Sequence, residues 1–184
     1  MGYRHNTEEV LDAAIEVARD QGLAELTFRS TGRRLGIADR TVVYYFPTKT
    51  DLLAAVLHRS TSRLVVLLTP EIGDERAPAE ELLAASWAAL RRPEAQPWIK
   101  LYVEALGLAV RGTEPYTSIA TELTTTWTSW FAAHILPDST TEQDEAKDRA
   151  AGLLATLDGL LLLHTTVGPD LALSAARGLG VSLS

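Results

Sequence analysis

The stretch Thr27-Phe-Arg-Ser-Thr-Gly-Arg-Arg-Leu-Gly-Ile-Ala-Asp-Arg-Thr-Val-Val-Tyr-Tyr-Phe-Pro-Thr-Lys-Thr-Asp-Leu-Leu53 decides the fold. Thr27 can cap a short helix that runs to about Leu35 and ends at Gly36. After the turn Gly36-Ile37-Ala38, a second short helix fits Asp39–Tyr45. Pro47 stops it, because the residue before a proline is pushed out of helical geometry. Thr48 with Asp51 forms a capping pattern ahead of Leu52-Leu-Ala-Ala-Val-Leu57, which launches a long helix toward Leu68. Upstream, Asn6 and Glu9 resemble a capping box, and Val10, Leu11, Ala14, Ile15 and Ala18 then recur at helical spacing. Gly22 suits the left-handed position after that helix, with Leu23 as its apolar contact. Two short helices joined by a tight turn behind a longer one have the spacing of a helix-turn-helix. Gly32, Leu35, Ile37 and Val42 supply the small and apolar residues that such a crossing needs.

The remainder is punctuated regularly. Pro70–Pro78 reads as a polar turn region, and Pro78 with Glu80 and Glu81 suits a helix start. Helices are expected at about 79–92, 96–111, 115–136, 141–166 and 170–178. The breakers are Pro93 and Pro97, Gly112 and Pro115, Pro137, and Gly168 with Pro169. No sustained period-two run is bounded by hairpin turns, so the expected class is all-α with about nine helices. Residues 1–47 form the expected helix-turn-helix domain. Residues 48–184 form a second helical domain, joined to it by the helix from Thr48.

Composition narrows the function classes. The 184 residues are 46% hydrophobic and 22% charged, as in a globular chain. No apolar run exceeds six residues, so no membrane span is expected. The N-terminus lacks an apolar signal region, and the absence of cysteine excludes disulfides and thiolate metal sites and suits a reducing cytoplasm. The net charge is −7, yet residues 26–63 hold seven Lys or Arg against two Asp. An acidic chain with one short basic stretch can reserve that stretch for a polyanion, although an arginine-rich solvated helix face would look the same.

The segment Thr27–Leu53 resembles the DNA-binding signature of the tetracycline-repressor (TetR) family. The match covers about 50 residues, from Thr7 to Leu57, and its most specific part is Tyr45-Phe46-Pro47-Thr48-Lys49 followed by Asp51-Leu52-Leu53. The resemblance implies a homodimeric all-α transcriptional regulator, usually a repressor, that a ligand in the C-terminal domain releases from DNA. Thr27 can then hold a phosphate at a helix N-terminus, with Arg29 reaching a base edge or the backbone. Arg40 and Thr41 lie in the first turn of the recognition helix, with Arg40 placed for bidentate contact with guanine. Tyr44 occupies a family contact position, Tyr45 looks like a phosphate clamp, and Lys49 adds its charge to a helix dipole. The chain departs from the usual pattern in three places. Ala38 stands where Ser is common, which removes an N-cap worth about 1 kcal/mol. Asp39 replaces a frequent Lys, and Val43 an aromatic.

The middle helices carry Trp87, Trp98, Tyr102, Trp127, Trp130 and Phe131. Ordinary core packing explains any one of them; together they also suit an apolar, aromatic-lined pocket, as the resemblance implies. The ligand candidates are Trp87, Trp98, Tyr102, Glu104, Trp127, Phe131, Asp158 and His164, the polar ones orienting a small molecule; Glu104 and Asp158 in such a wall would suit a cation. The segment from Ala150 to Leu163 is apolar on nearly every face and needs partners on two sides. With the helix Leu171–Leu179 it gives the expected dimer interface, through Leu153, Leu157, Leu160, Leu161, Leu171 and Ala175.

An enzyme is not expected. There is no Glu-x-x-His pair, His-Glu-x-x-His, P-loop, Gly-x-Ser-x-Gly or Gly-x-Gly-x-x-Gly, and the histidines at 5, 58, 134 and 164 have no metal-ligand spacing. No metal or cofactor is expected. The expected partners are palindromic double-stranded DNA, a second copy of the chain and a small effector, with no membrane. The alternatives are an activator of the same family, or an interaction module that no longer reads DNA.

Overall fold

The computed structural model describes residues 5–73, 75–136 and 143–181. Among them are nine α-helices and no strand: α1 (Thr7–Gln21), α2 (Phe28–Leu35), α3 (Asp39–Tyr45), α4 (Lys49–Ile72), α5 (Ala79–Leu90), α6 (Gln96–Ala109), α7 (Tyr116–His134), α8 (Gln143–Thr166) and α9 (Pro169–Gly178). The expected breaker Pro137 and the expected helix start at 141 lie outside the described residues. A single bridge joins Ala77 to Ile135, through Ala77 N–H to the His134 carbonyl at 3.0 Å and Leu136 N–H to the Ala77 carbonyl at 2.8 Å.

The chain divides into two compact units, residues 1–62 with 100–119, and residues 63–99 with 120–184. The boundaries fall inside α4, α6 and α7. Residues 100–119 thus join the N-terminal helices, although sequence order alone places them in the second domain.

In the first unit, Val10, Ala14, Val17, Leu23 and Leu26 are fully buried, and α1, α2 and α3 pack on one another. The capping is as the residues suggest. Asn6 accepts from Glu9 N–H at 2.9 Å while Glu9 accepts from Asn6 N–H at 3.3 Å, which satisfies two N-terminal donors reciprocally. Thr27 pairs the same way with Ser30, and Thr48 with Asp51. α2 ends on left-handed Gly36, at φ 73°. The turn then folds back so tightly that Ile37 N–H reaches the Gly32 carbonyl at 2.9 Å. A Cβ at Gly32 would lie 2.8 Å from the Ile37 carbonyl oxygen, so that position in α2 has no room for a side chain.

α4 runs one turn further than its sequence suggests. It passes through Pro70 to Ile72, and Gly73 N–H closes it on the Thr69 carbonyl at 2.9 Å. Only one ladder bond is lost at Pro70, in the last turn of an exposed helix end. α4 is also long and apolar enough, with mean hydropathy 1.3 over 18 residues, to cross a bilayer by composition, which the count of unbroken apolar runs missed. Its Leu52, Leu53, Val56, Leu57, Leu64 and Leu68 are buried by the protein itself, as in a core helix.

Gly32→Ala should therefore lower stability by about 1–3 kcal/mol through overpacking against backbone. The check is urea denaturation of both forms, with Gly107→Ala as control, since a Cβ at that exposed position meets nothing within 4 Å.

Candidate nucleic-acid interface and helical ligand unit

α3 is held by one face. Val42 is fully buried and Phe46 is 7% exposed, while Arg40, Val43 and Tyr44 point outward, Tyr44 at 76% exposure. Its N-terminus lacks a side-chain cap from Ala38, as expected, but Asp39 accepts from Arg40 N–H at 2.8 Å. The acidic residue that looks misplaced for DNA thus satisfies a first-turn donor and sits favourably at the positive end of the helix dipole. Sequence patterns weigh Asp39 as a contact residue; its bond to the next backbone amide is visible only once the helix start is fixed.

The basic residues separate into two groups. Arg34 is ion-paired with Asp20 at 2.7 Å and Glu16 at 3.2 Å, and its pKa is raised chiefly by the Asp20 hydrogen bond. Arg59 is paired with Glu8, and with Asp12 at 3.6 Å. Arg29, Arg40 and Lys49 are exposed and have no ion pair among the described residues. α1 carboxylates therefore neutralise Arg34 and Arg59, whereas Arg29, Arg40 and Lys49 lie on α2, α3 and the start of α4. Thr27 is exposed at the α2 N-terminus, but its hydroxyl already bonds Ser30 N–H at 3.0 Å; Thr41 is half-buried. Tyr45 differs most from expectation. Its hydroxyl donates to the His5 carbonyl, so in this structure it ties down the N-terminal segment, with its ring edge-on to Tyr44 at 5.1 Å.

The eight ligand candidates divide between the two units. Tyr102 and Glu104 fall in the first unit, the other six in the second. Glu104 does not line an aromatic wall. Its carboxylate accepts from Leu23 N–H at 2.8 Å, across 81 residues of sequence, at the loop that follows α1. Gly22 permits this, because its φ is 93° and a Cβ there would lie 2.9 Å from Glu104 Oε1. Tyr116 shares the neighbourhood, and its pKa is raised by burial and then by the Glu104 charge.

In the second unit Trp87, Trp127 and Phe131 are buried, while Trp98, Asp158 and His164 are half-buried. Trp127 and Phe131 lie 6.1 Å apart, and Trp130 stacks on His134 at 4.2 Å. His134 Nδ1 donates to the Trp130 carbonyl at 2.7 Å. Trp87 meets His164 edge to face at 5.7 Å. Burial, and then the charge of Arg91, lowers the His164 pKa, which favours its neutral form.

The expected interface leucines also need revision. Leu153, Leu157, Leu160 and Leu161 are each at most 5% exposed within a single chain. They fill its own core because α8 turns that side against α5. Leu162, Leu171 and Leu179 are 48%, 48% and 61% exposed, and Leu162 and Leu179 line a shallow α8–α9 groove together with Ala155, Gly159 and Ala175. A helix apolar all round does not reveal which side faces inward; packing decides it.

Glu104→Ala should leave the Leu23 amide unpaired and cost about 1–3 kcal/mol, whereas Glu104→Gln keeps an acceptor and should cost less. Thermal melts of the three proteins, with amide exchange at Leu23, check both.

Residues 10–56 match the bacterial regulatory proteins of the tetR family. The HTH-type transcriptional regulator SrpR of Pseudomonas putida is 28% identical over 96 residues, 52% of this chain and 45% of SrpR. An HTH-type transcriptional repressor of Mycobacterium tuberculosis is 34% identical over 73 residues, 39% of this chain and 28% of the repressor. The chain thus spans less than half the length of these two relatives in the matched part. The fold is similar to that of the multidrug binding protein EbrR, solved in complex with imidazole, at TM-score 0.68 and 22% identity over 96% of this chain and 90% of EbrR. Residues 10–56, which hold the helix-turn-helix, thus match the bacterial regulatory proteins of the tetR family in sequence, and the nine helices among the described residues match EbrR in fold.

Proposed function

We propose that the protein is a ligand-responsive DNA-binding transcriptional repressor, released from a palindromic operator when a small molecule binds its second helical unit. The observation that carries this reading is α3, seated by Val42 and presenting Arg40 and Tyr44 to solvent beside unpaired Arg29 and Lys49. A seven-residue helix with one buried face and an exposed polar end has the form of a recognition helix, whose N-terminal residues meet base edges. Arg40 suits guanine; Arg29, Tyr44 and Lys49 suit the flanking backbone. Tyr45 joins them when the His5 carbonyl gives up its hydroxyl, and Thr27 serves through the exposed end of α2. Residues 1–47 act as the reading head, and the rest of the chain binds effector and partner.

The dimer reading moves to the outer side of α8 and α9. Leu162 and Leu179 border a groove whose small residues let a second copy of the same helices approach closely, with exposed Leu171 on α9. Two recognition helices then address half-sites one turn of DNA apart, ~34–36 Å. An effector that favours another spacing weakens DNA binding by its difference in affinity for the two states. This reading places the protein with the DNA, in the cytoplasm. The name of EbrR as a multidrug binding protein supports the ligand-responsive reading.

Enrichment of random duplex DNA on the purified protein should recover a palindrome. Arg40→Ala should relax preference at one position per half-site, and Lys49→Ala should weaken all sequences alike and reduce the salt slope by about one. No enrichment at low salt by a folded protein would overturn the DNA reading. In sedimentation at micromolar concentration the chain should be a dimer, and Leu179→Glu should yield folded monomer. A monomeric parent would remove the basis for a palindrome.

A further inference from the structure

α5 and α8 pack together in the second unit and carry buried polar atoms with no hydrogen-bond partner among the described residues: Ser86 Oγ, Trp87 Nε1, Arg91 Nε at the C-cap of α5, His164 Nδ1 and Thr165 Oγ1; the Asp158 carboxylate of α8 also has a buried oxygen. Buried polar groups are nearly always paired, so several orphans on two facing helices require an explanation. Trp87 and Ser86 are fully buried. The indole lies edge-on to the His164 ring at 5.7 Å, Arg91 is one turn beyond Trp87 on α5, and its charge reaches His164. The neighbouring Arg92 is paired with Glu71 at 2.8 Å, whereas Arg91 has no ion pair among the described residues.

Three of these groups bring donors, while the Ser86 and Thr165 hydroxyls can both donate and accept. An indole N–H and a guanidinium can only donate, and a neutral imidazole has one donor to offer. The group that satisfies all three is an acceptor, and a negative one also neutralises Arg91. The surroundings are apolar: Leu90, Leu160 and Leu161, each within one turn of Trp87 or His164, are buried. We infer that the effector of the proposed regulator is a carboxylate with an apolar body, held between α5 and α8 by Trp87 Nε1, the Arg91 guanidinium and His164. The assignment rests on the ligand-responsive reading and replaces the cationic ligand that Glu104 and Asp158 would have suited, since Glu104 is bound to Leu23 in the other unit. Because the orphaned atoms are closed to solvent, the carboxylate reaches them by parting α5 from α8. Entry of the ligand and movement of α8, which also lines the proposed dimer groove, are then one event.

The test uses the full chain, labelled with nitrogen-15, titrated at pH 7.5 with octanoate, benzoate, octan-1-ol and octylammonium. Calorimetry reads affinity, and the four indole N–H signals, with Trp87 identified from Trp87→Phe, read location. A carboxylate should bind saturably and move the Trp87 signal. Octanol and octylammonium should bind at least about tenfold more weakly than octanoate, the worth of one charge-assisted hydrogen bond. Arg91→Gln, checked for an unchanged melt, should weaken octanoate about tenfold and leave octanol unaffected, with Arg91→Lys between them. Equal binding of octanol or octylammonium, binding that leaves the Trp87 signal in place, or no binding of either carboxylate would overturn the assignment. Release of the enriched DNA is followed in the same samples. Carboxylate binding at Trp87 without release supports the site and overturns the ligand-responsive reading. Release by a compound of another class, with no carboxylate bound, does the reverse.

Discussion

The contact between Gly32 and the backbone at Ile37 is the constraint on which the helix-turn-helix depends. The Ile37 amide bonds the Gly32 carbonyl at 2.9 Å, and the Ile37 carbonyl occupies the space of a Cβ at position 32. With no side chain between them, α2 and the turn meet backbone to backbone, and this sets the angle at which α3 leaves. Val42 can then reach the shared core of the first three helices, and the polar side of α3 faces outward as a consequence. A short helix of seven residues has too few internal hydrogen bonds to hold itself in water. It exists because the turn delivers it onto a prepared apolar surface.

Electrostatics then divides the surface. The carboxylates of α1 sit opposite Arg34 and Arg59 and cancel them, so a stretch that looks evenly basic along the chain becomes polarised in space. The pairs are partly exposed and contribute little to stability. Their consequence is one of sign: positive potential is removed from the side of α1 and kept at Arg29, Arg40 and Lys49.

Much of this was legible in the residues, for identifiable reasons. Capping pairs such as Asn6 with Glu9 and Thr48 with Asp51 are local, and local hydrogen bonds leave local patterns; helix boundaries were read within a few residues. α4 was read short because Pro70 usually ends a helix, and here one missing amide is tolerated. The long-range features were illegible. Nothing near Glu104 announces a bond to Leu23, so a carboxylate among apolar residues looked like a ligand group. The leucines of α8 recur on every side of the helix, and periodicity could not say which would be core. Aromatic residues of α6 and α7 were grouped by type, yet the compact units divide them. The orphaned donors at Trp87, Arg91 and His164 belong to two helices about 75 residues apart, and only packing reveals that their demands coincide.

The bond from Leu23 to Glu104 also bears on how the chain is made. Synthesis delivers the N-terminal helices first, but the acceptor that completes the end of α1 follows 81 residues later. At about 5–20 residues per second, this leaves roughly 4–16 s during which the nascent helices exist without it. Throughout that interval the Leu23 amide must rely on water, and the apolar face meant for residues 100–119 is uncovered. The unit that holds the helix-turn-helix therefore matures late, after most of α6 has left the ribosome, even though its first helices are made well before it.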